Sequence, residues 1–238
     1  MDKIHIITPV KDSIESTVVA IRAILSSAID AEVTYTVYND FSSEASTQQL
    51  EALRDELGFE LVNLADITDH PSPNYLLILQ IAQRRALEAG AHLAIVESDV
   101  TVRPETLNGL LQGVRTQSEC GIAASVTVDD EGHINYPYLY ARNFPTECCE
   151  VRRHCSFCCS LLTLDLLKKC DFGDLNPGKD WFDVHISKRS RELGFHNYLF
   201  VNLPVRHRPH SSRPWKQLKY TNPLKYYLLK FIKRHDKI

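Results

Sequence analysis

The feature that most constrains this chain is a repeated alternation over residues 1–128. Short β-prone apolar runs take turns with longer segments whose apolar residues recur every three to four positions. "KIHIITPV" predicts a strand that stops at Pro9. Asp12 or Ser13 can then cap a helix carrying Ile14, Val18, Ile21, Leu25 and Ile29 at helical spacing. "EVTYTVYND" predicts a second strand ending at Asn39-Asp40, and residues 44–57 a helix closed by Gly58. "FELVNL" predicts a third strand, residues 75–89 a third helix closed by Gly90, and "HLAIVE" a fourth strand. Pro104 suits the first turn of a helix bearing Leu107, Leu110, Leu111 and Val114. "GIAASVTV" predicts a fifth strand.

Repeated strand–helix units predict an α/β fold, with a mostly parallel central sheet flanked by helices. Ligands of such sheets bind beyond the carboxyl ends of the strands. The polar residues to watch are therefore Pro9 to Asp12, Asp40, and Glu97 with Asp99. The second half is less regular. Residues 129–150 predict a long loop with a turn at "DDEGH". "CSFCCSLLTLDLLKKC" predicts a buried strand and a short helix, residues 181–193 a helix ending at Gly194, and "NYLFVNLPV" a last strand.

A chain of 238 residues fits one large domain, here residues 1–212, with a tail over residues 213–238. The tail holds eight basic side chains and one acid, and residues 1–212 hold 19 basic and 29 acidic ones. An acidic body argues against nucleic acid as partner. Trp215, Leu218, Leu224, Tyr227, Leu228, Phe231 and Ile232 give the tail an apolar stripe opposite its lysines. That pattern suits a helix on an anionic membrane surface, or a helix packed on the acidic body. No apolar run approaches the roughly 18 residues of a membrane span. The polar start "MDKIHIITPV" leads straight into a strand, so the expected compartment is the cytoplasm. Seven cysteines, an odd number, fit free thiols in a reducing compartment.

Glu97-Ser98-Asp99 is the sharpest chemical signal. Residues two apart at a strand end can face one ligand, and two carboxylates suit Mg²⁺ or Mn²⁺ together with substrate phosphates. The plain alternative is a solvated strand end or a helix cap before Pro104. "PVRHRPH" offers His207, or His210, as an imidazole ligand, and Arg206 and Arg208 as phosphate partners. "ECCEVRRHCSFCC" has zinc-like spacing at Cys155 and Cys158, but Cys158 and Cys159 run into "SLLTLDLL" and predict buried core.

The order of these elements resembles the family 2 glycosyltransferases, which have the GT-A (nucleotide-diphospho-sugar transferase) fold. Pro9-Val10, Asp40 within "VYNDFSSEAST", and the acid–Ser–acid at the fourth strand end carry the resemblance, over about Lys3 to His207. It implies that Pro9, Val10 and Asp12 floor the donor pocket and that Asp40 meets the base or ribose. It implies Asp99 as main metal ligand, Glu97 assisting it or touching the sugar or ribose, Ser98 at the nucleotide sugar, His207 completing the Mn²⁺ or Mg²⁺ or diphosphate site, and Arg206 near the diphosphate. In "GKDWFDVHISKRSRELGF", Arg189 and Gly194 stand at the family's separation from Asp183, which implies Asp183 as general base and Asp180 in support. A carboxylate favoured by a helix start accounts for either aspartate as well. Arg213, Tyr220 and Asn222 ahead of an apolar-basic helix resemble the ends of bacterial rhamnosyltransferase-like enzymes. Those are peripheral membrane proteins, which implies a place at the inner face of the cytoplasmic membrane. The chain departs from the family in Glu97 for Asp, in His185 where an acid is frequent, and in lacking a glycine after Asn74.

The expectation is an inverting, metal-dependent transferase taking a nucleoside-diphosphate sugar to a glycan or lipid-linked acceptor, in cell-surface polysaccharide synthesis. A non-catalytic nucleotide-sugar binder or scaffold of the same fold is the rival. A sugar nucleotidyltransferase needs a glycine-rich phosphate loop after the first strand, and "TPVKDSIES" has no glycine.

Overall fold

The computed structural model describes residues 1–179, 181–208 and 222–232. The first half runs β1 (Lys3–Val10), α1 (Ile14–Leu25), β2 (Glu32–Asn39), α2 (Glu44–Leu57), β3 (Glu60–Asn63), α3 (Tyr75–Ala89) and β4 (His92–Val96). It continues with β5 (Val100–Thr101), α4 (Thr106–Thr116) and β6 (Cys120–Val128). The second half adds β7 (Cys148–Glu150), β8 (Cys159–Leu162), α5 (Leu164–Lys169), α6 (Phe182–Glu192), β9 (His196–His207) and α7 (Pro223–Ile232).

The strands form one sheet in the order β3-β2-β1-β4-β8-β6-β9-β5, with β7 also on β9. β3, β2, β1 and β4 are parallel neighbours. β8 enters antiparallel to both β4 and β6, which restores the common direction at β6 and at its parallel neighbour β9. The predicted mostly parallel sheet is therefore present, with β8 inserted against the grain. Near its end β9 arches away from β6. Ser125 faces Phe200 and Thr127 faces Val205, so four residues of β9 oppose one of β6.

Successive residues of the central strands feed opposite cores. Ile7, Leu93 and Ile95 pack with Ile78, Leu79 and Ala82 of α3 and Ile186 of α6. Ile6, Ala94 and Val96 pack with Ile21 of α1 and Leu107, Leu110 and Leu111 of α4. Both faces are buried, which is why these strands read as continuous apolar runs. α4 lies so close over β9 that a Cβ at Gly113 would collide with the Phe200 ring.

Helix ends follow local chemistry. α2 and α3 close at Gly58 and Gly90 in the left-handed conformation, as predicted. α1 stops at Leu25, short of the predicted Ile29. Ser26 and Ser27 hydroxyls turn back to the Ala23 carbonyl at 2.9 and 3.0 Å and compete with the helix backbone. Ser13 is the N-cap of α1 but makes no side-chain cap bond, and the Asp12 carboxylate goes to Ser43 N instead. α4 begins at Thr106, two residues past Pro104, because a turn over Arg103–Thr106 intervenes. Within the predicted 129–150 loop, β7 pairs with β9. Three residues are too few to show a period in sequence.

A polar ladder crosses the first three strands. His5 Nε2 meets Thr36 Oγ1 at 3.0 Å, the Thr36 hydroxyl donates to Glu60 at 2.7 Å, and Arg85 of α3 grips both Glu60 oxygens. Burial, followed by the Arg85 charge, lowers the His5 pKa to about 4. Between that value and the ordinary 6.5 the unfolded chain holds the extra proton, so stability falls as pH drops through this window. The loss reaches about 2 kcal/mol by pH 5. Urea unfolding at pH 7 and pH 5 should therefore show a steeper drop for the natural chain than for His5→Gln. Equal drops would remove His5 as the cause.

Candidate metal and donor site at the strand ends

β1, β2 and β4 end side by side at one rim. The backbone joins them: Asp40 N donates to Val10 O at 2.8 Å, and Ile7 faces Ile95 across β1 and β4. Lys11, Asp12 and Ser13 follow β1, and Phe41 to Ser43 follow β2. The two loops are bonded together. Asp12 N donates to Ser42 Oγ and Ser43 N to Asp12 Oδ1, both at 2.8 Å, while Lys11 Nζ donates to Phe41 O. The bond from the Ser43 backbone is the main reason the Asp12 carboxyl sits below its ordinary pKa. Asp12, Ser13 and Phe41 all take positive φ, between 52° and 56°. Pro9 is half-buried at this rim and Val10 is buried, its side chain in the core.

Asp40 is buried and its carboxylate is engaged. It accepts from Ser72 Oγ at 2.8 Å, Asn74 N at 2.9 Å and Asn74 Nδ2 at 2.8 Å. Its present contacts thus anchor the loop that starts α3.

Glu97, Ser98 and Asp99 form the turn between β4 and β5. Glu97 N bonds Cys158 O at 3.0 Å, and Val100 N returns to Glu97 O at 3.1 Å. β5 is two residues long and pairs with the end of β9, setting Val100 against His207 and Thr101 against Arg206. This pairing brings His207 to the acids. His207 Nε2 lies 3.5 Å from Asp99 Oδ2, with the two side chains only 4% and 8% exposed. His207 Nδ1 meets the Tyr136 carbonyl at 2.8 Å, and Asn135 Nδ2 donates to His207 O at 2.9 Å. A carbonyl only accepts, so Nδ1 carries a proton and Nε2 is the nitrogen turned to Asp99. Burial works against a charged His207, but Asp99, the Tyr136 carbonyl and Glu97 outweigh it and raise its pKa.

Cys158, predicted as core, is buried here but borders the site. Its Sγ is 3.7 Å from Glu97 Oε2 and 4.0 Å from His207 Nε2. Burial, then the Glu97 charge, pushes the thiol well above its ordinary value. Asp183 stands half-buried in the first turn of α6, where Val184 N donates to its Oδ1 at 2.9 Å. It belongs to the same neighbourhood. Burial and then the charges of Asp183, Cys158 and Glu97 push the Tyr136 phenol up to about 12. Tyr226 of α7 acts on Tyr136 as well, so α7 approaches the rim.

The structure therefore gathers Glu97, Ser98, Asp99, His207 and Asp183, and sets Pro9 to Asp12 and Asp40 along the same strand ends. It does not bring Arg206 into the cluster. Alternate residues of a strand face opposite ways, and Arg206 is exposed and paired with Asp130 at 3.3 Å. Asp180 and His210 lie outside the described residues, as do 213–221 and 233–238 of the tail. Sequence reasoning missed Cys158, Asn135, Tyr136 and Asn74. The cysteine-rich stretch forms no zinc knot of its own among the described residues. Cys148 and Cys149 lie on β7, Cys155 is buried beside α6, and Cys158 joins Glu97 and His207 instead. A second acid–His group, Asp129, Glu131 and His133, lies in an exposed turn.

Glu97, Cys158 and His207 bring an oxygen, a sulfur and a nitrogen within 4.8 Å of one another, and Asp99 Oδ2 lies 3.5 Å from His207 Nε2, a donor set that fits a divalent cation. Glu97, Asp99 and His207 are the oxygen and nitrogen donors such an ion would use.

No sequence family and no curated protein matches the chain. Solved structures do. Residues 1–349 of TarS from S. aureus, in complex with UDP-GlcNAc, match with a TM-score of 0.65 at 15% identity, over 97% of this chain and 65% of that one. The mannosyltransferase PcManGT from Pyrobaculum calidifontis, with GDP-Man and Mn²⁺, matches with a TM-score of 0.62 at 12% identity, over 97% and 64%. GalNAc-T7, with UDP, GalNAc and Mn²⁺, matches with a TM-score of 0.66 at 9% identity, over 89% and 45%. The chain thus spans less than two thirds of each of these structures. On these likenesses, its fold is that of the GT-A glycosyltransferases.

Proposed function

We propose that the chain is an inverting, metal-dependent glycosyltransferase that moves a sugar from a nucleoside-diphosphate donor to a glycan or lipid-linked acceptor. The observation that carries this reading is the convergence at one sheet rim of the Glu97-Ser98-Asp99 turn, His207 and Asp183. The neighbours TarS and PcManGT hold UDP-GlcNAc and GDP-Man, and a donor of that class suits this rim.

Each residue has a task in such a transfer. Asp183 accepts the proton of the acceptor hydroxyl as its oxygen attacks the anomeric carbon. The bond from that carbon to the diphosphate oxygen breaks on the opposite face, and the diphosphate leaves with the electron pair. Asp183 lies in the first turn of α6, at the positive end of the helix dipole. Asp99, Glu97 and His207 would hold Mn²⁺ or Mg²⁺, whose Lewis acidity would offset the charge on the departing diphosphate. The bonded loops after β1 and β2, with Pro9 and Asp12, form the wall for the nucleoside, and the buried Val10 and Asp40 support it from behind. Arg206, on the outer face of β9, is left out of donor binding.

α7 supports a lipid-surface location. Leu224, Tyr227 and Leu228, three and four residues apart, share one helix face and are 87%, 57% and 59% exposed. None of the described helices is long and apolar enough to cross a membrane. We assign this face to an anionic membrane surface on the cytoplasmic side, where lipid-linked acceptors of polysaccharide synthesis would be met.

A donor screen tests the function. The protein is incubated with Mn²⁺ or Mg²⁺ and a panel of nucleotide sugars, and thermal stabilisation and release of nucleoside diphosphate are followed. At least one donor should stabilise the chain only when metal is present. A flat response across the panel would support a scaffold.

A further inference from the structure

The sulfur of Cys158 is the feature that the proposed transfer leaves unused. It lies where β8 runs antiparallel to β4, with Val96 facing Cys159, so that Cys158 comes level with Glu97. Glu97, Cys158 and His207 each place one donor atom within 4.8 Å of the others. Two separations are 3.7 Å from sulfur to Glu97 Oε2 and 4.0 Å from sulfur to His207 Nε2.

These spacings can be compared with what a small cation needs. Zinc bonds of about 2.3 Å to sulfur, 2.0–2.1 Å to nitrogen and 2.0–2.2 Å to oxygen, at tetrahedral angles, put donors roughly 3.3–3.6 Å apart. The sulfur stands a few tenths of an ångström beyond those distances from Glu97 and His207, and Asp99 Oδ2 lies 3.5 Å from the same His207 nitrogen. An octahedral magnesium with bonds of about 2.0–2.1 Å wants oxygen donors and closer neighbours. The imidazole is also already oriented for a ligand's role. Its Nδ1–H is held by the Tyr136 carbonyl, the outer partner that metal-binding histidines commonly have. Cys158 and His207 are 3% and 4% exposed, so the donors sit in a partly dry site where replacing water by ligands is least costly.

We propose that Cys158 is a ligand of this centre, which makes it a mixed oxygen, nitrogen and sulfur site that holds zinc in preference to magnesium. Soft thiolate donors select zinc over hard cations. On binding, the S–metal bond forms and the thiol proton passes to solvent, so charge and atoms balance. The inference rests on the reading of Glu97, Asp99 and His207 as a cation site, and adds to it the identity of a further ligand and of the preferred ion.

Cobalt(II) is the probe. It is titrated into the full chain after chelator treatment, with zinc then competing for the site. A near-ultraviolet band from thiolate to cobalt should appear, together with the visible bands of a four-coordinate ion. Cys158→Ser and Cys158→Ala should abolish the thiolate band, whereas Cys149→Ser should keep it. Zinc affinity should fall at least about 100-fold in Cys158→Ser, the upper end of what even an outer-shell partner is worth. Cobalt bound by the natural chain without a thiolate band would overturn the inference, whatever the variants do. So would a band that survives both Cys158 changes. In either case UDP or GDP binding that still needs Mn²⁺ leaves the transferase reading standing. If the natural chain binds neither cobalt nor any nucleotide with Mn²⁺, both readings fall.

Discussion

Asp183→Asn is expected to lower turnover by about 10²- to 10⁴-fold, the usual worth of a positioned general base. The fall should appear in kcat, because the change leaves the metal donors and the nucleoside wall intact. Asparagine keeps the shape of the side chain and its bond from Val184 N, but it cannot take the acceptor's proton. Metal-dependent stabilisation by UDP or GDP should be retained. Turnover that survives the change undiminished would sink the assigned mechanism. Lost nucleotide binding would instead place Asp183 among the donor contacts.

Asp99→Ala has a different signature. It takes away the carboxylate that lies 3.5 Å from His207 Nε2, in a place where both side chains are almost wholly buried. Both cation binding and everything that needs the cation should fail together. Turnover should drop at least about 1000-fold, since the Lewis-acid contribution of a metal is worth several kcal/mol. Stabilisation by nucleoside diphosphate should no longer depend on Mn²⁺. Glu97→Gln should be milder in turnover, because Asp99 and His207 stay. The two aspartates are thus separable. One variant binds nucleotide with metal and does not turn over, and the other has lost the metal response itself. An Asp99→Ala protein that keeps full Mn²⁺-dependent nucleotide binding would move the metal elsewhere.

The parts of the fold legible in the sequence are those with local causes. α2 and α3 end at Gly58 and Gly90 because a left-handed residue there satisfies the last carbonyls, and glycine announces it. The acid–Ser–acid turn was legible because a buried run cannot continue through two carboxylates. What escaped was pairing at long range. Cys158 meets Glu97 only because β8 slots between β4 and β6, a placement about which residues 155–162 say nothing by themselves. Asn135 and Tyr136 belong to a stretch that reads as loop, and their tie to His207 spans more than 70 positions. Arg206 is a different miss. Its neighbour His207 points into the site, so strand alternation alone would have turned Arg206 outward. Asp40 shows a local signal with two uses: a carboxylate at a strand end can meet a ligand or hold its own rim, and here it holds Asn74.

The arch in β9 has a consequence for how this site could diverge. Four residues from Val201 to Pro204 bridge the gap that one residue of β6 spans, and beyond them the pairings of β9 with β6 and β5 fix the phase with which the strand reaches the rim. A one-residue slip in those pairings would exchange His207 for Arg206 or Arg208 at the position facing Asp99. The proposed cation site would then hold a fixed positive charge. A length change that the arch failed to absorb would thus disable the proposed metal site with every proposed ligand still present in the gene.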